Sequence, residues 1–198
     1  RREIEQRMQD FARNMLGQAD ATLARLTDLM QSLREGFVQA GNGSLSGGDR
    51  ATLTPAGHFA DNNHIHHFAQ VVFTYQNAIR LAGVGNRMTH NLIHDTIHEA
   101  LSYSGNNHLC EFNEVYNVCL EADDSGVIHQ GRDWTWRGNV IRHNFFPDIV
   151  AGNAVSNMGV YLDDMECGVE VKGNVLYRIP RAILVGGGRD NQVTNNLI

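Results

Sequence analysis

Lysine is almost missing from this 198-residue chain: Lys172 is the only one. The other cationic side chains are scattered arginines, and the formal net charge is −6. A nucleic-acid partner would want a basic stripe, so that class is excluded. Long apolar runs are missing too. The short ones are interrupted by charges, so neither a membrane span nor a signal peptide can be read, and no membrane partner is expected. Cysteine is limited to Cys110, Cys119 and Cys167, without CxxC spacing. Buried thiols fit that better than a disulfide or metal set. Proline is scarce, at 3, while glycine reaches 20, a balance that suits many tight turns. The chain opens on Arg1 and stops at Ile198 inside a repeat pattern, so a piece of a longer protein is expected, truncated at its C-terminal end.

What is there divides at residue 40. Over 1–40, Ile4, Met8, Phe11, Met15 and Leu16, then Leu23, Leu26, Leu29, Met30, Leu33 and Phe37, recur at three- and four-residue steps. This predicts an amphipathic α-helical segment, with a break at Gly17 and a cap at Asp20. It reads as an N-terminal cap on the next domain, with a partner-binding helix as the alternative.

Over 41–198 two phrases alternate. One is a small residue, alternating apolar positions, then Gly or Asp: Ala78–Gly83, Ala100–Gly105, Gly126–Gly131, Gly159–Asp164 and Ala182–Gly187, with Gly43–Gly48 a weaker copy. The other begins with Asn63, Asn91, Asn113, Asn144, Asn174 or Asn196. Short strands at a period of twenty to thirty residues mean a solenoid of strands. The expected fold is all-β, a single-stranded right-handed parallel β-helix. The recurring Asn side chains are expected to stack at turns and bond from coil to coil. Ile79, Leu101, Val127, Val160 and Ile183 should form one inward row, and Leu81, Tyr103, His129, Leu162 and Val185 the next. Arg80, Ser102, Ile128, Tyr161 and Leu184 should then face out.

The chemistry concentrates between Asp123 and Asp164. Asp123-Asp124 enters the strand of one coil and Asp163-Asp164 leaves the strand of the next. Some pair of these carboxyl groups should therefore lie roughly 5 to 10 Å apart, the span used by glycosidases. Paired carboxylates can divide acid and base roles. Turn chemistry and a Ca²⁺ site are the two other readings of the same residues. Arg132, Asp133, Trp134 and Trp136 lie between the pairs. An indole offers a sugar-stacking face and Arg132 a site for a charged substituent; packing over the coil edge is the plainer reading. His98 and Glu99 fall one coil earlier and are groove candidates, with Tyr161. The histidines all fall between His58 and His143. His66 and His94 match in position and should stack, and no zinc spacing is present. The glycine runs at Gly47-Gly48 and Gly186–Gly188 read as turns, not phosphate loops.

The phrases SGGDRATLTPAGH, AIRLAGVGNRMTHNLIHD, GNNHLCEFNEVYNVCLEADDSG, GRDWTWRGNVIRHNFF, GVYLDD and GGGRDNQVTNNLI resemble the pectate-lyase-like superfamily of right-handed parallel β-helix proteins. More narrowly they resemble bacterial secreted polysaccharide-degrading members close to glycoside hydrolase family 141, over 41–198. The resemblance implies hydrolysis of glycosidic bonds in plant or algal polysaccharide, with fucosidase and xylanase activities represented. It implies a secreted or periplasmic location and a polysaccharide or oligosaccharide as partner. The catalytic acids would be one of Asp123-Asp124 and one of Asp163-Asp164, with no cofactor required. His129 and Pro147 stand where the family would have Tyr and His, and 1–39 does not look like its preceding coils. A polysaccharide lyase of the same fold, using Ca²⁺ or Arg132 to neutralise a uronate and His129 or Lys172 as base, is the alternative. A non-catalytic carbohydrate-binding β-helix is the third.

Overall fold

A computed structural model describes residues 57–149 and 156–198. The expected helical segment over 1–40 and the weak repeat copy at Gly43–Gly48 lie outside the described residues. Within them the chain is all-β, without a helix, and every strand pairing is parallel.

Each coil sends one short strand to each of three sheets. The first sheet runs β1 (Phe59–Asp61), β4 (Arg87–Thr89), β7 (Leu109–Glu111), β10 (Val140–Arg142), β13 (Glu170–Lys172) and β16 (Gln192–Thr194). The second is built from β2 (His64–His66), β5 (Leu92–His94), β8 (Glu114–Tyr116), β11 (Phe145–Pro147) and β14 (Val175–Tyr177). The third orders β3 (Ile79–Val84), β6 (Leu101–Asn106), β9 (Gly126–Gln130), β12 (Met158–Leu162) and β15 (Arg181–Val185). This cyclic order, with each strand paired to its equivalent one coil away, is compatible with the expected parallel β-helix.

The first and second sheets are joined by a two-residue turn that explains the Asn phrase. Its first residue is left-handed in every coil: Asn62, His90, Phe112, His143, Gly173 and Asn195 have φ between 50° and 64°. Its second is the recurring Asn, whose side chain turns inward. Asn63, Asn91, Asn113, Asn144 and Asn174 each donate Nδ2 to the Oδ1 of the next Asn at 2.8–3.0 Å. The same Oδ1 also accepts the backbone N–H of the preceding Asn at 3.0–3.1 Å. The second amide hydrogen of Asn91, Asn113, Asn144 and Asn174 reaches a backbone carbonyl at 3.0–3.1 Å. The amide thus has its donors used, which is what a buried polar group requires. A second ladder passes through Asn86, His108 and Asn139: the N–H of Asn86 donates to His108 Nδ1 at 3.1 Å, and that of His108 to Asn139 Oδ1 at 2.9 Å.

The core fills from all three sheets. Ile93, Leu101, Val115, Ile128, Ile141, Phe146, Val160, Leu162 and Val171 are fully buried. All three cysteines are free and buried, and burial raises the pKa of Cys119 to about 12. The expected inward rows need one correction. Val160 pairs with Ile128, not Val127, and Leu162 with Gln130, not His129. Leu101 likewise meets Ile128. The register of β9 is therefore one residue later than expected. Ile128 faces in, and His129 moves to the outer row beside Tyr161, because a one-residue slip exchanges the two faces of a strand.

Asn144→Ala should be costly. It strips acceptors from two buried donors of Asn113 and a donor from Asn174, an expected loss of about 3 kcal/mol. Asn63→Ala, at the exposed end of the ladder, should lose about 1 kcal/mol or less. Urea unfolding of the two variants checks the difference.

Candidate functional site

The outer face of the third sheet carries an open cleft of about 340 Å³. Tyr75, Arg80, Glu99, His129, Arg132 and Asp163 line it, with Asn77, Ser102, Gln130 and Gly131. The outer row of successive strands supplies Arg80 and Ser102, which are direct partners, and then His129. Strand ends supply the acids: Glu99 enters β6, and Asp163 leaves β12.

His129 is the centre of the polar network. Its Nδ1 lies 3.3 Å from Glu99 Oε1 and its Nε2 3.4 Å from Asp163 Oδ2. Its ring stacks on Tyr161 with centroids 4.4 Å apart and planes 7° from parallel. Two carboxylates, one at each nitrogen, are the partners of an imidazolium, in which both nitrogens donate. Burial alone would lower the pKa of His129. The bond and charge of Glu99, then those of Asp163, outweigh it and raise the value. Asp163 moves the other way. Burial pushes its pKa up, but the Asp164 backbone N–H, His129 and Tyr161 together bring it below the ordinary carboxylate value. Glu99 is held from behind: Asn77 Nδ2 donates to its Oε2 at 3.1 Å, and Ser102 Oγ donates to Asn77 Oδ1 at 3.1 Å.

Tyr161 links the two Asp pairs. Its hydroxyl donates to Asp124 Oδ1 at 3.1 Å. Burial, then the neighbouring Asp163 and Asp124 carboxylates, raise its pKa. The phenol thus bonds to Asp124 and lies near enough to Asp163, 39 positions further on, to feel its charge. Their partners in the pairs do other work. Asp123 Oδ1 accepts the Ser156 hydroxyl at 3.1 Å. Asp164 is exposed and serves through its backbone, its carbonyl accepting the N–H of Arg132.

The remaining expected site residues separate. His98 Nδ1 lies 3.3 Å from Glu99 Oε1 without hydrogen-bond alignment, and is otherwise unpartnered among the described residues. Its ring meets the Tyr75 ring edge-on at 5.3 Å. Arg132 is well exposed, with Nε 4.0 Å from Asp163 Oδ2. Asp133 caps its own loop: Oδ1 accepts the N–H of Thr135 at 2.8 Å and its hydroxyl at 2.6 Å. Trp134 is half exposed, but the Arg189 guanidinium lies over its ring at 5.5 Å. Gly131 is a close approach: a Cβ there would meet the backbone and Cβ of Asp163 at 2.8–2.9 Å. Sequence reasoning missed Tyr75, Asn77, Gln130 and Gly131 as site residues, and placed Arg80 and Ser102 on the outer face without assigning them to the site. A cue for Asn77 existed, since it aligns with Glu99 at the same position before the strand.

Comparison with protein-family models, with curated proteins and with solved structures finds no match for the chain.

The histidines of the second sheet form a separate surface group. His66 and His94 are register partners with rings stacked at 5.2 Å, as their matching positions implied. His64 Nε2 lies 2.8 Å from His94 Nε2, and His66 Nδ1 lies 2.7 Å from His67 Nδ1. No group of three or more His, Cys, Asp or Glu among the described residues is placed to hold a metal ion.

Glu166 is fully buried. Tyr103 Oη donates to its Oε1 at 2.9 Å, while Oε2 has no partner among the described residues. Burial pushes its pKa up to about 7, against the Tyr103 bond, with the Asp133 charge adding to the rise. A carboxyl that binds its proton more tightly when folded gives stability that is lost as pH rises from the unfolded to the folded value. For Glu166 that window runs from about 4.5 to about 7. His129, also raised, gives stability fully present below about 6.5 and lost above it. Across pH 4.5 to 7 the urea midpoint of Glu166→Gln should gain on wild type, since the neutral amide has no charge to bury. Parallel midpoint curves for the two proteins would contradict this assignment.

Proposed function

We propose that the chain is a polysaccharide-degrading glycoside hydrolase, acting through Asp124 and Asp163 in a groove of a right-handed, pectate-lyase-like β-helix. The observation that carries the reading is the Tyr161 phenol, which donates to Asp124 and lies near enough to Asp163 to feel its charge. A phenol has one proton to donate. Two carboxyl groups beside one phenol are suited to dividing acid and base roles. Asp163, held ionised by the Asp164 N–H and by His129, takes the role of nucleophile or base, and Asp124 that of proton donor. The secreted location and the kinship with glycoside hydrolase family 141 belong to the same proposal and rest on the sequence resemblance.

One observation favours the lyase alternative. Arg80, Arg132 and His129 line the same cleft, and a cationic neutraliser with a nearby base is what β-elimination from a uronate needs. The products separate the readings. Hydrolysis of neutral and uronate polysaccharides releases reducing ends alone, whereas elimination also releases ultraviolet-absorbing unsaturated sugar. Asp163→Asn is expected to lower kcat by about a thousandfold, and Asp124→Asn to lower it comparably. Full activity in both variants would remove the paired-acid reading. Binding of a polysaccharide without any cleavage would leave the non-catalytic carbohydrate-binding β-helix.

A further inference from the structure

The loop 68–78, between β2 and β3, carries a run of exposed apolar side chains. Val71, Val72, Phe73 and Tyr75 are each more than half exposed. Of these, Tyr75 lines the cleft. One edge of its surroundings is fixed by His98, met at 5.3 Å and 63° between planes, and His98 in turn lies against Glu99. The ring is therefore anchored to the polar network at one side and remains 64% exposed. An aromatic surface of that size, left in water beside charged groups, has apolar area to gain from a ligand that covers it. Trp134 is less suited, because Arg189 already lies over its ring.

We propose that Tyr75 is the sugar-stacking residue of the cleft, holding the C–H face of one pyranose ring while the polar edge of that ring turns towards Glu99, His129 and Asp163. The chemistry is complementary on both sides. A pyranose presents aliphatic C–H groups on its face, which pack on an aromatic ring, and hydroxyls around its rim, which need hydrogen-bond partners. The cleft supplies the face from the loop and the partners from the third sheet. Val71, Val72 and Phe73 on the same loop are also exposed, and the polysaccharide reading makes a chain of sugars the ligand class. The inference rests on the polysaccharide reading above and adds to it a residue and a binding mode.

The test uses the full chain carrying Asp163→Asn, so that substrate is held uncleaved. It is titrated with xylohexaose, cellohexaose and hexagalacturonate, followed by calorimetry and by the tyrosine ring resonances. At least one oligosaccharide should bind and shift the Tyr75 ring signals. Adding Tyr75→Ala should weaken that binding about tenfold, while Tyr75→Trp keeps or tightens it. Tyr75→Gly is the control for folding. Tyr75 has φ +57°, which glycine adopts freely, so this variant should fold as stably as its parent and still lose the affinity. If an oligosaccharide binds equally well with and without the Tyr75 ring, the stacking role is wrong and the polysaccharide reading survives. If none of the three binds the Asp163→Asn protein, the polysaccharide reading fails and the stacking role fails with it.

Discussion

Everything in this structure depends on how one coil is held in register with the next. Backbone pairing between parallel strands fixes spacing, but it does not by itself choose which residue opposes which. The Asn ladder makes that choice. Each ladder amide accepts from the coil before it and donates to the coil after it, in a buried position where an unmade bond is expensive. The left-handed residue in front of each Asn sets the chain direction so that the amide points inward. Only one alignment satisfies every rung, so coils of different length still meet at the same turn. Variation in length is pushed into the loops on either side of the third sheet, where the cleft lies.

The candidate site follows from that register. Glu99, His129 and Asp163 come from three consecutive coils, and no two are near in sequence. Stacking places an imidazole between two carboxylates, and the neighbouring Tyr161 against Asp124. Burial sharpens both arrangements. At His129 it opposes the charge, and the two acids overcome it. At Glu166, whose one hydrogen-bond partner among the described residues is Tyr103, burial wins and the carboxyl keeps its proton towards neutral pH. The same effect therefore yields opposite charge states at two sites, according to whether an opposite charge is within reach.

Much of this was legible in the residues, for a local reason. The Asn phrase is turn chemistry repeated, and its period alone implies stacked parallel strands. That the two Asp pairs flank strands of neighbouring coils could also be anticipated, because it needs only the approximate coil length. What could not be read was the phase of β9. Val127 and Ile128 are adjacent, apolar and both fully buried, so alternation gives no signal about which one faces the core. The misplaced phase sent His129 inward and Ile128 outward, and so hid the centre of the network. Asp133 was over-read for a related reason: the cap it makes on Thr135 is two residues away, and nothing in composition distinguishes a capping aspartate from one that faces a ligand. Tyr75 sits in a loop outside both phrases, where periodicity carries no information.

The central claim is that stacked coils build a proton-handling centre around His129. The most direct measurement is the His129 titration by NMR, in wild type and in Glu99→Gln and Asp163→Asn. The account predicts a wild-type pKa above the ordinary histidine value, falling in each variant. A wild-type value at or below the ordinary one, unmoved by removal of either acid, would contradict it.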